Sequence, residues 1–315
     1  MSGWRTECET ARPDPGAEPG NGAGQHTEGR PMAGTALVLG GGGLTGIGWE
    51  VGVLAGLADA GIDLADADVV IGTSAGSIVG AHLASRRRSL EELYEHQLTA
   101  PAADGPAARM GPAALARFAA IAVRSRDAVS FGARMGKLAL AARTAPEEQQ
   151  REAITRTLGG LTDWPARRLM ITAVDAATGQ RTAFDDTSGV RLIDAVGASC
   201  AVPGIYPPVT IDDTRWIDGG VHSSANADLA AGYARVIVIA PMPVSGGPID
   251  GPRAQAARLA REGARICVIT PDRAARAAFG RNVLDPAKRA DAARAGRRQA
   301  ATHAPEIHPI WSATA

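Results

Sequence analysis

The chain has no net charge. Lys plus Arg equals Asp plus Glu at 33 each, so no overall field draws the protein to nucleic acid or to anionic lipid. Cysteine is scarce. Cys8, Cys200 and Cys267 are odd in number, widely spaced and without a CxxC pair, which argues against a disulfide framework or a zinc site and fits a reducing compartment. No stretch approaches the roughly 18 consecutive apolar residues of a membrane-spanning helix. The start, MSGWRTECETARPDPG, lacks the apolar core of a secretory signal, so a cytoplasmic protein is expected. No His and carboxylate spacing marks a metal site, and none is expected. Aromatic residues are only 4% of the chain; its Trp and Phe are scattered singly and read as packing residues.

What remains is ordinary globular composition, 45% hydrophobic and 21% charged over 315 residues. Residues 1–32 are rich in Pro, Gly, Glu and Thr without periodicity. They cannot bury enough apolar surface to offset their ordering entropy and are expected to form a disordered tail, leaving residues 33–315 as one domain. The domain opens with Thr35-Ala-Leu-Val-Leu39, a strand-type run, followed by glycines 40–43 and a helical pattern over Ile47–Ala60. A second buried-type strand, Asp68–Ile71, leads through Gly-Thr-Ser-Ala-Gly into an apolar helix to about Leu83. Strand, helix, strand, helix at this spacing predicts an α/β fold with a mainly parallel central sheet flanked by helices. Further strands are expected at Arg168–Val174, Arg181–Phe184 after a turn at Ala176–Gly179, Val236–Ala240 and Ile266–Thr270. Residues 86–150 are Ala- and Arg-rich, helical in pattern and broken by Pro101, Pro106, Pro112 and Pro146. They read as a helical cap inserted into the domain.

Gly72-Thr73-Ser74-Ala75-Gly76 carries the strongest chemical signal. A G-x-S-x-G pentapeptide between a strand and a helix is what a nucleophile elbow requires: the serine sits on a strained turn, and Gly72 and Gly76 remove Cβ atoms that would clash. The following helix aims its first N–H groups at the reaction centre. Gly197-Ala-Ser199-Cys200-Ala201 nearly repeats the pattern, but it follows a helical stretch and ends in Ala, so Ser199 and Cys200 read as packing residues.

Gly40–Gly43 with Gly46 admits two readings. As Gly41-x-Gly43-x-x-Gly46 it satisfies a dinucleotide fingerprint, although the acidic residue required at the tip of the second strand is replaced there by Gly72-Thr73-Ser74. Alternatively it is a loop whose backbone N–H groups face the elbow and hold an oxyanion. Trp216-Ile217-Asp218-Gly219-Gly220 places an acid at a strand end before two glycines, where a partly buried carboxylate with a raised pKa can accept the serine proton. A His triad stays open, since His222 and His303 follow Asp218. His222 reads as a solvated loop histidine and His82 as a core or edge residue too far along its helix to reach Ser74. An α/β nucleotide-binding oxidoreductase and a catalytically silent scaffold stay open as well.

The order GGGxxG, GxSxG and DGG resembles the patatin-like phospholipases, which hydrolyse acyl esters with a Ser–Asp dyad and no histidine. The resemblance covers about residues 35–310 and includes Ser199-Cys-Ala-Val-Pro-Gly204 through Pro207-Pro-Val209. It implies Ser74 as nucleophile and Asp218 as base. It also implies an oxyanion hole from Gly41, Gly42 and Gly43, completed by the Ala75 N–H, with Gly46, Gly72, Gly76, Gly219 and Gly220 supporting the turns. The implied substrate is a lipid or small ester, with transient membrane-surface contact, no nucleic acid and no cofactor. The helical insertion, through Leu115, Phe118, Ile121 and Val123, would line or cover an acyl pocket, unless it is an ordinary packed layer. One position departs from the family. Thr45 stands where an Arg or Lys is usual, so a cation steering phosphate at the site mouth is missing, and neutral esters are the expected preference.

Overall fold

The computed structural model describes residues 33–99, 108–109, 111–243 and 248–312. The tail expected over residues 1–32, and Pro101 and Pro106, lie outside them. Eight strands form one sheet: β1 (Thr35–Leu39), β2 (Val69–Thr73), β3 (Arg168–Asp175), β4 (Arg181–Phe184), β5 (Val209–Ile211), β6 (Thr214–Asp218), β7 (Arg235–Ile239) and β8 (Arg265–Ile269). The order is β5-β6-β3-β2-β1-β7-β8, with β4 also on β3. Strands β3, β2, β1, β7 and β8 are parallel; β4, β5 and β6 add antiparallel pairs at one side.

The ten helices among the described residues are α1 (Gly43–Asp59), α2 (Ala75–Ser85), α3 (Leu90–Thr99), α4 (Pro112–Val123), α5 (Ala128–Ala141), α6 (Glu147–Leu158), α7 (Leu192–Ser199), α8 (Pro252–Arg261), α9 (Arg273–Phe279) and α10 (Arg289–Trp311). None is long and apolar enough to cross a membrane.

Period-two alternation divides the core. Leu37, Leu39, Val70, Leu169, Ile237 and Ile239 join the cluster built with α1, α2, α7 and α10, whereas Ala36, Val38, Val69, Val236 and Val238 join the one built with α8. Both faces are covered, which is why β1 and β2 are buried along their whole length. Each wholly buried Leu, Ile or Val contributes about 1.5–3 kcal/mol. Helix α10 lies close on α1, where a Cβ at Gly52 would overlap the Ala293 carbonyl.

One element boundary needs correction. Helix α1 begins at Gly43 rather than Ile47, with no side-chain cap. Glycine's low helix propensity hides this start in the sequence, and packing of the loop against Pro241 and Val283 overrides it. The helices from α3 to α6 pack in two places. Leu93 and Tyr94 of α3 and Ile154 and Leu158 of α6 belong to the main core, while Phe131, Met135 and Ala139 of α5 form a separate cluster with Ile217 and Val221. Cys200 is a buried free thiol.

Candidate active site

The register of β3 brings two strand ends together. Its neighbouring residues Thr172 and Ala173 pair with Thr73 of β2 and Asp218 of β6, so the turn after β2 meets the end of β6. Ser74 occupies that turn with φ 52° and ψ −115°, a conformation a non-glycine residue adopts only when its surroundings enforce it, at a cost of about 1–3 kcal/mol. Its Oγ donates to Asp218 Oδ2 at 2.7 Å. Gly220 N–H donates to Asp218 Oδ1, also at 2.7 Å, which fixes the carboxylate.

Both side chains are buried. Burial pushes the Asp218 pKa up to about 6, and the hydrogen bonds from Ser74 and Gly220 hold it from rising further. An acid with that pKa is ionised at neutral pH yet basic enough to take a proton.

The elbow is held from several sides. Ser74 N–H donates to Ser199 Oγ at 2.8 Å, and Ser77 Oγ donates to the Ser74 carbonyl at 2.6 Å. Cys200 Sγ makes a weaker contact to the same carbonyl at 3.4 Å. Ser199 and Cys200, expected only to pack, are therefore hydrogen-bonding partners of the elbow backbone. Burial, helped by the Asp218 charge, pushes the Cys200 thiol up to about 12, so it is not a nucleophile. Gly76 N–H donates to the Gly40 carbonyl, and a Cβ at Gly76 would overlap the Leu39 carbonyl, so elbow and glycine loop are in direct contact.

The glycine loop faces Ser74: a Cβ at Gly41 would lie 3.4 Å from Ser74 Cβ. Gly41 itself is corrected as an oxyanion donor, because its N–H is spent on the Ser224 carbonyl at 2.8 Å. The N–H groups of Gly42, Gly43 and Ala75 have no acceptor among the described residues, as expected at the starts of α1 and α2. Gly43 has φ 61°, which glycine adopts freely. Two helix N-termini thus converge beside one serine, a setting that favours negative charge. Gly46 N–H closes the first turn on the Gly42 carbonyl.

A buried polar knot under the site was not foreseen. Asn226 Nδ2 donates to Thr73 Oγ1, Thr172 Oγ1 and the carbonyls of Gly219 and Ser223, at 2.9–3.3 Å. Arg181 donates to Asn226 Oδ1 and pairs with Asp228. It ties the end of β2, β3 and the turn after Asp218 to one side chain. Its only local signal is Asn226 itself, in a left-handed conformation that asparagine tolerates.

No histidine among the described residues bonds Ser74 or Asp218. His82 contacts the Thr157 carbonyl and His303 contacts Gln299 on α10. His222 is half-buried with an unpartnered Nδ1, not freely solvated; Arg181, Asp228 and Asp250 are the charges around it. Thr45 is not at a mouth: it is wholly buried, with its N–H and Oγ1 on the Val283 carbonyl. Phe118 and Ile121 pack toward α5, while Leu115 and Val123 are 54% and 87% exposed, so these four residues do not share one face toward the site. A small recess of about 20 Å³ lies between α1, α2, α3 and α6 beside Ile47, Val51, Ile78 and Val79; neither Ser74 nor Asp218 lines it.

Residues 37–231 match the family model described as patatin-like phospholipase. No curated protein matches the chain. Among solved structures, VipD from Legionella pneumophila is 13% identical, with a TM-score of 0.43 over 88% of this chain and 67% of that one. The type III effector protein ExoU is 16% identical, with a TM-score of 0.40 over 88% of this chain and 54% of that one.

Proposed function

The chain belongs to the patatin-like phospholipase family, and from that premise we propose that it hydrolyses acyl esters of lipids through Ser74 as nucleophile and Asp218 as general base. The observation that carries this reading is the 2.7 Å hydrogen bond from Ser74 Oγ to a carboxylate oxygen of Asp218, made by a serine in a strained strand-to-helix turn. The nucleophile and its base are already within transfer distance.

In this reading Ser74 Oγ attacks the ester carbonyl carbon as its proton passes to Asp218. The carbonyl oxygen becomes an oxyanion held by the N–H groups of Gly42, Gly43 and Ala75, each worth about 3 kcal/mol in comparable sites. Collapse breaks the ester bond, and the departing alcohol takes the proton from Asp218. A water then gives its proton to Asp218 and attacks the acyl-enzyme, releasing the carboxylic acid and restoring Ser74. The strained elbow, fixed by Ser199 and Ser77, keeps Oγ in position for both halves.

Fluorophosphonate labelling tests the reading, because such probes phosphonylate activated serines. Labelling of the wild type that disappears in Ser74→Ala is the expected result. A folded wild type that never labels would leave a silent scaffold. Nicotinamide binding at the glycine loop, seen by fluorescence, would restore the oxidoreductase alternative.

A further inference from the structure

The chain is neutral as a whole, but its charge is unevenly placed. Between residues 108 and 143 stand seven cations, Arg109, Arg117, Arg124, Arg126, Arg134, Lys137 and Arg143, against one acid, Asp127; the rest of the chain carries the matching acidic excess of six. All seven are exposed, and none forms an ion pair among the described residues. The single acid is occupied in capping α5, accepting the Ser130 N–H.

The same segment holds misplaced apolar side chains. Leu115 (54%), Val123 (87%) and Leu140 (49%) are three of the four exposed large hydrophobic residues among the described residues; the fourth, Met242, adjoins Pro241, which lies against Gly42. Leu115, Ala119 and Val123 follow one another at helical spacing along one flank of α4 and are all exposed, with Arg117 and Arg124 on the other flank. Single exposed hydrophobics need no explanation, and a basic helix face is usually just solvated. An acid-free helix with an outward apolar flank, ringed by unpaired cations, does not fit that account. The segment also sits at the site. Phe118, Ile121 and Ala122 pack with Phe131 and Met135 against Ile217 and Val221, which bracket Asp218, and Asn282 holds the Ala108 carbonyl at the other end.

We propose that the α4–α5 hairpin is a docking surface for anionic phospholipid bilayers, placed beside the Ser74–Asp218 pair. Unpaired cations meet the headgroup charge, and Leu115, Val123 and Leu140 enter the interface between them. The apolar flank favours a membrane over nucleic acid, which would ask only for the charge. Docking here rests on the surface alone and does not require the proposed reaction.

Sedimentation of the full chain with vesicles of phosphatidylcholine, with and without about a third phosphatidylglycerol, tests it. Partition onto the anionic vesicles should exceed that onto neutral ones by about tenfold or more and fall with added salt, since each cation near such a surface is worth about a fivefold gain. Arg124→Glu with Arg126→Glu, and separately Val123→Asp, should each lower that partition, with hydrolysis of soluble p-nitrophenyl butyrate unchanged. Arg156→Glu with Arg298→Glu, the same charge change elsewhere, should leave it intact. Ser74→Ala should dock as the wild type does, so a protein that docks without labelling removes the hydrolase reading alone. Equal partition onto both vesicles, no partition onto either, indifference to the hairpin charge reversal, or capture of duplex DNA without vesicle binding would each overturn the proposal.

Discussion

Ser199 Oγ accepts the Ser74 N–H at 2.8 Å across 125 residues of sequence, so the backbone of the elbow is held by a serine from the end of α7. Its removal leaves a buried donor unsatisfied at a strained turn. Ser199→Ala should cost about 1–3 kcal/mol of stability and lower kcat on neutral esters several-fold with little change in KM. Thermal melts and steady-state kinetics check both. Unaltered kcat in a Ser199→Ala protein would show that the elbow holds itself.

Ser74→Ala and Asp218→Asn should each abolish ester hydrolysis in folded protein, and the double variant should be no worse than either, because residues acting as one unit are not additive. His222→Ala should retain most activity, since its ring bonds neither Ser74 nor Asp218. A loss beyond about a hundredfold, the usual worth of a general base, would put a histidine into the mechanism.

The raised Asp218 pKa has opposite consequences for activity and for stability. Activity requires the ionised form, so kcat/KM should rise with pH through about 6 and then level off. The folded pKa lies above the ordinary carboxylate value of 3.8, so the folded state binds the proton more tightly than the unfolded one. Stability from this residue is full below the unfolded pKa and is lost as pH rises from about 4 to about 6. Asp218→Asn should therefore melt at a higher temperature than the wild type at pH 8 and lose that advantage at pH 4. An inactive Asn variant equally stable at both pH values would mean that ionised Asp218 carries no desolvation cost.

How far the sequence revealed this arrangement depends on the range of the forces involved. The bounds of β1 coincide with the apolar run that suggests it, and those of β4 with the strand expected after the turn at Ala176–Gly179, because both signals are local. Ser74 and Asp218 stand out through adjacent glycines, which mark tight turns whatever the partner. Ser199 and Asn226 do not. Their roles consist of hydrogen bonds to residues 125 and 153 positions away, and no spacing rule reports such pairs. Gly41 misleads for the same reason: its N–H looks free until Ser224 arrives from after β6.

Asn226→Ala should damage the site without touching it. The change removes the donor shared by Thr73, Thr172 and the Gly219 and Ser223 carbonyls, leaving buried acceptors unsatisfied. A loss of about 2–3 kcal/mol in denaturant unfolding is expected, with kcat reduced because the turns carrying Ser74 and Asp218 lose their common brace. Asn226→Asp, isosteric but without the donor amide, should fare no better. Full stability in Asn226→Ala would assign the brace to Arg181 and Asp228 instead.

Thr45 is the position where sequence and structure disagree most about consequence. By resemblance it stands where a cation is usual, and an arginine there would be expected to attract phosphate. The side chain is in fact wholly buried, and its backbone N–H is fixed by the Val283 carbonyl at 3.0 Å. Thr45→Ala keeps that backbone bond and gives up only a 3.4 Å hydroxyl contact, so turnover on neutral esters should change less than about threefold. Thr45→Arg must bring a larger, charged group into closed space, which costs about 1–3 kcal/mol in overpacking alone. That corresponds to a fall in melting temperature of several degrees. It should not raise the ratio of specificity constants for phospholipid over a matched neutral glyceride, and the ratio should be no more salt-sensitive than in the wild type. The cations that can meet a phosphate are those of α4 and α5, so Arg124→Glu should lower the ratio where Thr45→Arg does not raise it. A stable Thr45→Arg protein with a salt-sensitive gain on phospholipid would mean that residue 45 reaches the substrate after all, and that the loop opens further than its contacts with Val283 and Pro241 imply.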